Sequence, residues 1–323
     1  MPSEPAPSEP APSEPAPSEQ ALIWVPTEPV AQALAGLARA RVEVLAPDGS
    51  DLPPSVAEVE FYVPPFFSRP EAVAVMARMP KLKVVQTLTA GFDAVRPHVP
   101  ASAVLCNARG VHDASTAEWV VGAIVAAIRQ FPYFATEQSA GRWSYRFTGC
   151  LAGKSVLIVG YGSIGRAVER RLTGFEVRIR RVARTARAGV SPVSELPDLL
   201  PDADVVILLA PVTTQTIGMV DAAFLARMKD GSLLVNAARG VLVVTDDLVA
   251  EVAAGRLSAV MDVTDPEPLP AGHPLWALPN VLITPHVGAS TPVSGRMAEQ
   301  FVRDQAERYL TGKPLLNVIT GDY

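Results

Sequence analysis

Residues 154–174 read KSVLIVGYGSIGRAVERRLTG, and this stretch decides the fold. A short apolar, β-branched run, residues 155–159, enters Gly160-Tyr161-Gly162-Ser163-Ile164-Gly165, and a helix-patterned segment then runs on to Gly174. A strand, a G-x-G-x-x-G turn and a helix in that order form a dinucleotide-binding fingerprint. Gly160 permits the tight turn, Gly162 admits the backbone to a pyrophosphate, and Gly165 lets the helix pack close to the strand. The helix start, with the N–H groups of Ser163 and Ile164, offers unpaired donors and a positive dipole end to phosphate oxygens.

Outward from this stretch, strand-like and helix-like segments alternate. Before it, strands are expected at 21–25, 42–45, 59–63, 82–88 and 103–107, with helices near 31–40 and 70–79. After it, strands are expected at 177–182, 205–210, 233–236, 259–263 and 281–284, with helix candidates between, such as 246–254. This alternation predicts an α/β protein with two Rossmann-like, doubly wound lobes. A long helix is expected over 115–130, with Ser115 and Glu118 at capping-box spacing and Asp113 as a competing cap. Its stretch 119–128 is apolar almost all round, which predicts burial between lobes or subunits. A last helix, about 293–310, has the length to return the chain to the first lobe. The expected division is a tail over 1–20, a substrate domain over 21–106 and 291–323, and a dinucleotide-binding domain over 107–290 inserted in it.

Composition narrows the function. The chain has 323 residues, 49% of them hydrophobic, enough for two cored domains. Glu4, Glu9, Glu14 and Glu19 sit in a Pro/Ser/Glu/Ala repeat that lacks apolar bulk and is expected to be disordered. It has neither the cationic start nor the apolar middle of a signal peptide. Without those four, 29 acidic residues face 28 basic ones, which gives no electrostatic reason to expect nucleic acid or an anionic membrane as partner. The longest apolar run, 119–128, is too short to span a bilayer. Two cysteines, Cys106 and Cys150, make neither a disulfide framework nor a metal motif; a reducing, cytoplasmic setting fits.

Three chemical groups stand just beyond expected strands, where ligands bind in open parallel sheets. Arg239 lies in Asn236-Ala237-Ala238-Arg239-Gly240, and a guanidinium can clamp a carboxylate and polarise a carbonyl. On the motif alone, a surface salt bridge explains it equally well. His286 follows the last strand in Thr284-Pro285-His286-Val287-Gly288 and suits proton donation to a developing alkoxide. Glu267, in Asp265-Pro266-Glu267-Pro268, would orient that imidazole if paired with it. Their shared position at strand ends of one sheet favours catalysis over three unrelated surface groups. Past the second strand of the nucleotide lobe stands Val182-Ala183-Arg184-Thr185-Ala186-Arg187, without the carboxylate that would take a ribose 2′-hydroxyl. Arg184 and Arg187 can pair with a 2′-phosphate, so NADP(H) is the preferred cofactor and NAD(H) an alternative; a basic surface loop is the bland explanation.

Together with Asn107-Ala108-Arg109-Gly110 and Asn280-Val281-Leu282-Ile283-Thr284-Pro285-His286, these motifs resemble the D-isomer-specific 2-hydroxyacid dehydrogenases, of the glyoxylate/hydroxypyruvate reductase type, from about 82 to 318. The resemblance implies that Arg239 binds the substrate carboxylate and carbonyl, that Glu267 orients His286, and that His286 is the general acid or base. It implies that the backbone N–H groups of Ala90 and Gly91 receive the carboxylate. Asp262 would bind the nicotinamide carboxamide, with Pro211, Thr216, Ala237 and Gly288 lining the rest of the cofactor site. It also implies a homodimer through the nucleotide lobes, with helix 115–130 and the Trp143 loop at the interface. Phe66 and Phe67 sit where family loops touch the substrate, and either a substrate bulkier than glyoxylate or a hydrophobic staple explains them. The expected reaction is NAD(P)H-dependent reduction of a small-molecule 2-oxoacid to a D-2-hydroxyacid. A nucleotide-sensing, co-repressor-like binding protein on the same fold is the alternative. Formate oxidation is disfavoured, because formate dehydrogenases carry glutamine where Glu267 stands.

Overall fold

The computed structural model of the chain describes residues 20–45, 52–66 and 69–321. The N-terminal repeat, expected to be a disordered tail, lies outside the described residues, as does Phe67. The chain forms two compact units. One holds the described residues up to Leu88, Ala94–Asn107 and Glu299–Val318; the other holds Thr89–Asp93, Ala108–Ala298 and the residues from Ile319 on. The nucleotide lobe is thus inserted into a discontinuous first lobe, and each lobe carries a parallel, Rossmann-like sheet.

In the first unit, β1 (Ala21–Val25), α1 (Glu28–Ala33), β2 (Ala40–Val44), β3 (Val59–Tyr62), α2 (Pro70–Ala74), β4 (Val84–Gln86) and β5 (Val104–Cys106) follow in order. The strands pair in parallel as β2-β1-β3-β4-β5. β1 is buried throughout because it is flanked by β2 and β3, which is why its sequence is apolar at every position. The helix expected over 31–40 is shorter and earlier. Gly36 (φ +77°) and Arg39 (φ +67°) take left-handed conformations that a helix cannot continue through. The helix expected over 70–79 is α2 followed by a 3₁₀ turn, Val75–Arg78. Burial pushes the Cys106 thiol up to about 11, so at neutral pH it packs as a small apolar group.

The second unit contains α3 (Asp113–Ile128), α4 (Phe131–Ser139), β6 (Ser155–Val159), α5 (Ser163–Leu172), β7 (Arg178–Ala183), β8 (Ser191–Pro192), α6 (Leu196–Leu199), β9 (Val205–Leu208), α7 (Ala222–Arg227), β10 (Leu233–Asn236), α8 (Thr245–Ala253), β11 (Ser258–Met261) and β12 (Val281–Ile283). Among the described residues its sheet runs β12-β11-β10-β9-β6-β7-β8, all parallel. The order reverses between β6 and β9, which is where a doubly wound sheet opens a crevice at its strand ends.

Strand alternation feeds two cores. Val156, Ile158, Val205, Ile207, Leu233, Val235 and Val260 face one layer with α3 and α5, through Ala117, Val120, Ile124, Ala167, Val168 and Leu172. Leu157, Val159, Val206, Leu208, Leu234, Ala259 and Met261 face the other, with Phe224 and Leu225 of α7 and Leu248 and Val252 of α8. Each fully buried side chain of this kind contributes about 1.5–3 kcal/mol. Burial on both faces gives the strands their continuous β-branched runs.

Helix α3 begins at Asp113, preceded by His112, and no side chain caps it. Ser115 is therefore inside the first turn, and the expected capping box does not form. Its hydroxyl lies 2.7 Å from Thr291 Oγ1 and accepts from Ser294 Oγ at 2.8 Å. The buried apolar residues of α3 pack within their own unit, against α5 and the sheet, while Trp119, Val125, Ala127 and Ile128 are half-buried. The helix stops at Ile128, and Gln130 (φ +54°) turns the chain into α4, where the sequence pattern predicts a loop running through Trp143. The last helix, α9 (Pro292–Leu310), starts among residues of the second unit and ends among those of the first, passing at Ala298/Glu299 rather than at the expected 290/291. Among the described residues, no helix is long and apolar enough to cross a membrane.

Candidate active site

The loops after β6, β9, β10, β11 and β12 lie at one edge of the second sheet and carry most of the expected residues. In the first loop, Gly160 has φ +100°, and a Cβ built there falls 2.4 Å from the Ala210 nitrogen and the Leu209 carbonyl carbon. The close backbone approach after β9 leaves no space for a side chain. A Cβ on Gly165 meets the Gly160 oxygen at 2.9 Å, so this glycine sets how tightly α5 seats on β6. A Cβ on Gly162 meets nothing within 4 Å, which leaves an open approach to the backbone where a pyrophosphate would lie. No side chain caps the N-terminus of α5, so the donors of Ser163 and Ile164 are not consumed by a cap. This cradle fits a dinucleotide phosphate.

Beside it, Tyr161 Oη donates to Glu169, and Arg181 grips the same carboxylate through Nε at 2.8 Å and through Nη2. The Arg181 hydrogen bond holds the Glu169 carboxyl below the usual carboxylate range, and burial raises the Tyr161 phenol. Arg187 donates to the Tyr161 carbonyl, with its guanidinium carbon 5.8 Å from the centre of the Tyr161 ring. Arg184 is exposed and makes no side-chain hydrogen bond or ion pair with the other described residues. Glu169 is the acid of this corner, and Arg181 neutralises it. The sequence reading missed this triad, because Tyr161, Glu169 and Arg181 are on a turn, a helix and a strand whose packing sets their meeting.

After β9, Thr216 Oγ1 donates to the Pro211 carbonyl at 2.6 Å and accepts from the Thr213 N–H at 2.8 Å, which fixes this loop. After β10, the buried Asn236 accepts from the Ala238 N–H at 3.0 Å and donates to the Arg239 carbonyl at 2.9 Å. The Asn236 side chain thereby shapes the turn through Ala237 that presents Arg239. Gly240 next to it has no room for a Cβ, which would lie 1.9 Å from the Thr264 oxygen. The Arg239 loop and the Asp262–Glu267 loop are thus packed backbone to backbone. Arg239 Nε donates to Asp93 at 3.4 Å and Nη1 to the Ala238 carbonyl at 2.8 Å. Its Nη2 lies against Gly91, where a Cβ would fall 1.7 Å from it. The segment Thr89–Asp93, with Ala90 and Gly91, is therefore brought to Arg239. Asp93 is a site residue that sequence reasoning missed; its signal was an acid two positions past Gly91.

After β11 and β12, the buried Asp262 carboxylate organises the turn that bears His286. It accepts from Thr284 Oγ1 at 2.6 Å, Val287 N–H at 2.9 Å and Gly288 N–H at 2.8 Å, while its own carbonyl accepts from the His286 N–H at 2.7 Å. Oδ2 takes one of these three bonds, which leaves it an acceptor lone pair. A Cβ on Gly288 would stand 2.8 Å from Oδ2. So held, His286 adopts φ +54°, and its Nδ1 meets Glu267 Oε1 at 2.7 Å. The imidazole and carboxylate are both partly solvent-accessible, at 29% and 41%. The tautomer decides the direction of this bond; with Nδ1 as donor, Nε2 is the ring nitrogen not engaged by Glu267. No hydrogen bond or ion pair joins the Glu267–His286 pair to Arg239 among the described residues; the Gly240–Thr264 approach links their loops.

A glycine turn that fits a dinucleotide phosphate, a carboxylate-held imidazole and a loop-seated guanidinium make up a candidate oxidoreductase site. Over residues 121–288 the sequence matches the D-isomer specific 2-hydroxyacid dehydrogenase family, in the region described as its NAD binding domain. The chain is 34% identical over 246 residues to the glyoxylate reductase of Thermofilum pendens, covering 71% of this chain and 73% of that one. It is 32% identical over 258 residues to the D-3-phosphoglycerate dehydrogenase of Methanocaldococcus jannaschii, covering 76% of this chain but about half, 49%, of that one. A crystal structure of a D-isomer specific 2-hydroxyacid dehydrogenase from Xanthobacter autotrophicus Py2, in complex with NADPH and MES, superposes with a TM-score of 0.80 at 28% identity, covering 94% of this chain and 98% of that one. The chain belongs to the D-isomer-specific 2-hydroxyacid dehydrogenase family, and its activity is NAD(P)-dependent oxidoreduction at a CH–OH group.

Proposed function

We propose that this enzyme reduces a small 2-oxoacid, of the glyoxylate or hydroxypyruvate kind, to the D-2-hydroxyacid, with NADPH preferred over NADH. The observation that carries the reading is the 2.7 Å contact between Glu267 and His286. Ketone reduction needs a positioned proton donor, and an imidazole oriented by a carboxylate supplies one, whereas cofactor-dependent association alone does not require it. When bound, the nicotinamide supplies the hydride. His286 supplies the proton to the developing alkoxide through Nε2 and takes it back in the reverse direction. Arg239 holds the substrate carboxylate and polarises the adjacent carbonyl, with the backbone N–H groups of Ala90 and Gly91 as further donors. Asp262 would accept from the carboxamide through its remaining lone pair, and Pro211, Thr216, Ala237 and Gly288 would line the site.

The 2′-phosphate would be held by Arg187, already at the rim of the Tyr161 turn, and by exposed Arg184. The acid that would repel it, Glu169, is neutralised by Arg181. A homodimer is supported by the exposed aromatics Trp143, Tyr145 and Phe147, which lie on one short segment after α4. The unbridged thiols of Cys106 and Cys150 support a cytoplasmic setting. The test is NADPH and NADH oxidation by the full chain across glyoxylate, hydroxypyruvate, 3-phosphohydroxypyruvate and phenylpyruvate. Turnover of glyoxylate or hydroxypyruvate with the higher kcat/KM in NADPH is expected. Saturable NADPH binding with no oxidation on any of the four overturns the proposal.

A further inference from the structure

Asp93 closes the short segment Thr89–Asp93 that packs with the second unit. Both of its carboxylate oxygens stand 3.4 Å from Arg239 Nε. The guanidinium is held on its remaining sides by the Ala238 carbonyl, 2.8 Å from Nη1, and by Gly91, against which Nη2 lies. A guanidinium offers a carboxylate two forks, the side edge Nε/Nη2 and the end Nη1/Nη2. Asp93 takes Nε and so occupies the side edge. Nη1 keeps its second hydrogen, and Nη2 meets no hydrogen-bond acceptor among the described residues, so the end pair retains donors for a ligand. Asp93 and Arg239 are each about one-third accessible, at 32% and 30%. A guanidinium on a long, rotatable stem at that exposure stays in one orientation only if something holds it.

We propose that Asp93 is a positioning residue that fixes the Arg239 guanidinium so that its Nη end, and not its side edge, binds the carboxylate of the 2-oxoacid. The proposal rests on Arg239 being the carboxylate ligand. Asp93 contributes an acceptor at a fixed place, which an asparagine amide oxygen also supplies. Its role is distinct from that of a structural ion pair, because the effect of losing it depends on Arg239 being present.

The experiment is a double-mutant cycle on the full chain with D93A, R239A and the double variant, and with D93N beside it. It reads kcat/KM for glyoxylate with NADPH, the NADPH dissociation constant, and the affinity for oxalate in the presence of NADPH by calorimetry. D93A is expected to lower both kcat/KM and oxalate affinity about tenfold, the scale of one charge-assisted hydrogen bond. D93N restores both to within about threefold, NADPH affinity is unchanged throughout, and D93A adds nothing in the R239A background. Losses that add in the double variant, an equal loss in D93N and D93A, or a parallel loss of NADPH affinity overturns the proposal. A wild-type chain that reduces no 2-oxoacid, yet binds oxalate with the same dependence on Asp93 and Arg239, overturns the reductase reading and sustains the role of Asp93.

Discussion

Nδ1 of His286 and Oε1 of Glu267 meet at 2.7 Å across nineteen positions of sequence, each residue on a loop that leaves a different strand. The meeting depends on a third residue. Asp262 pins the turn from Thr284 to Gly288 through both carboxylate oxygens, and that turn holds His286 in a left-handed conformation that a non-glycine residue rarely adopts.

From this contact, H286A is expected to lower kcat by about 10²–10⁴, the range contributed by a positioned acid–base group. E267A should follow by a smaller factor, since the imidazole survives without its orientation. NADPH titration followed by fluorescence should change by less than about twofold in both. Full turnover in H286A removes the residue from the chemistry.

The two glycines of the turn separate folding from binding. G160A puts a Cβ 2.4 Å from the Leu209–Ala210 backbone at φ +100°, so the β6–β9 approach must open. A loss above about 2 kcal/mol is expected, seen as a lower Tm. G162A meets open space and should keep Tm within a few degrees while weakening NADPH binding about tenfold or more. Equal Tm values for the two variants would contradict the packing described.

On the proposed function, cofactor choice rests on Arg187 and Arg184. R187Q and R184Q are each expected to weaken NADPH binding about tenfold, since a charge-assisted bond to phosphate contributes about 1.5–3 kcal/mol. NADH binding should change by less than about twofold, because NADH lacks that phosphate. Parallel losses for both cofactors would place these arginines elsewhere.

Acid should release the aromatic segment after α4. Glu137 accepts from Arg142 Nε at 2.9 Å and also from Arg142 Nη2 and Ser144 Oγ, and these bonds, Arg142 first, hold its carboxyl at about 2. A depressed carboxylate stabilises the fold above its unfolded pKa and loses that contribution as pH falls through the folded one. The clasp should therefore be intact at pH 5 and released between about pH 4.5 and 2. Proteolytic nicking at 142–148, measured with an acid-active protease, should rise across that window. E137Q should show the nicking already at neutral pH, and an unchanged acid profile in wild type would refute the clasp.

Much of this was legible in the residues. The runs of β6, β9, β10 and β11 are apolar because both faces of these strands are covered, and the crowding at Gly160 and Gly165 is the kind a glycine turn relieves. Helix ends were less legible. Gly36 and Arg39 shorten α1, and Asp113 rather than Ser115 opens α3, because tertiary partners such as Thr291 and Ser294 claim the hydroxyl that local spacing offers as a cap.

Sequence alone determined the class of each sheet, the dinucleotide turn and the residue types at the strand ends, because periodicity and glycine placement act over a few residues. The tertiary structure decided the pairings. That Asp93 takes Arg239, that Arg181 takes Glu169 and that Asp262 spends itself on the His286 turn depends on which loops the folded sheet sets side by side. A charge in a linear chain has many possible partners, and packing brings only one or two of them within a few ångströms.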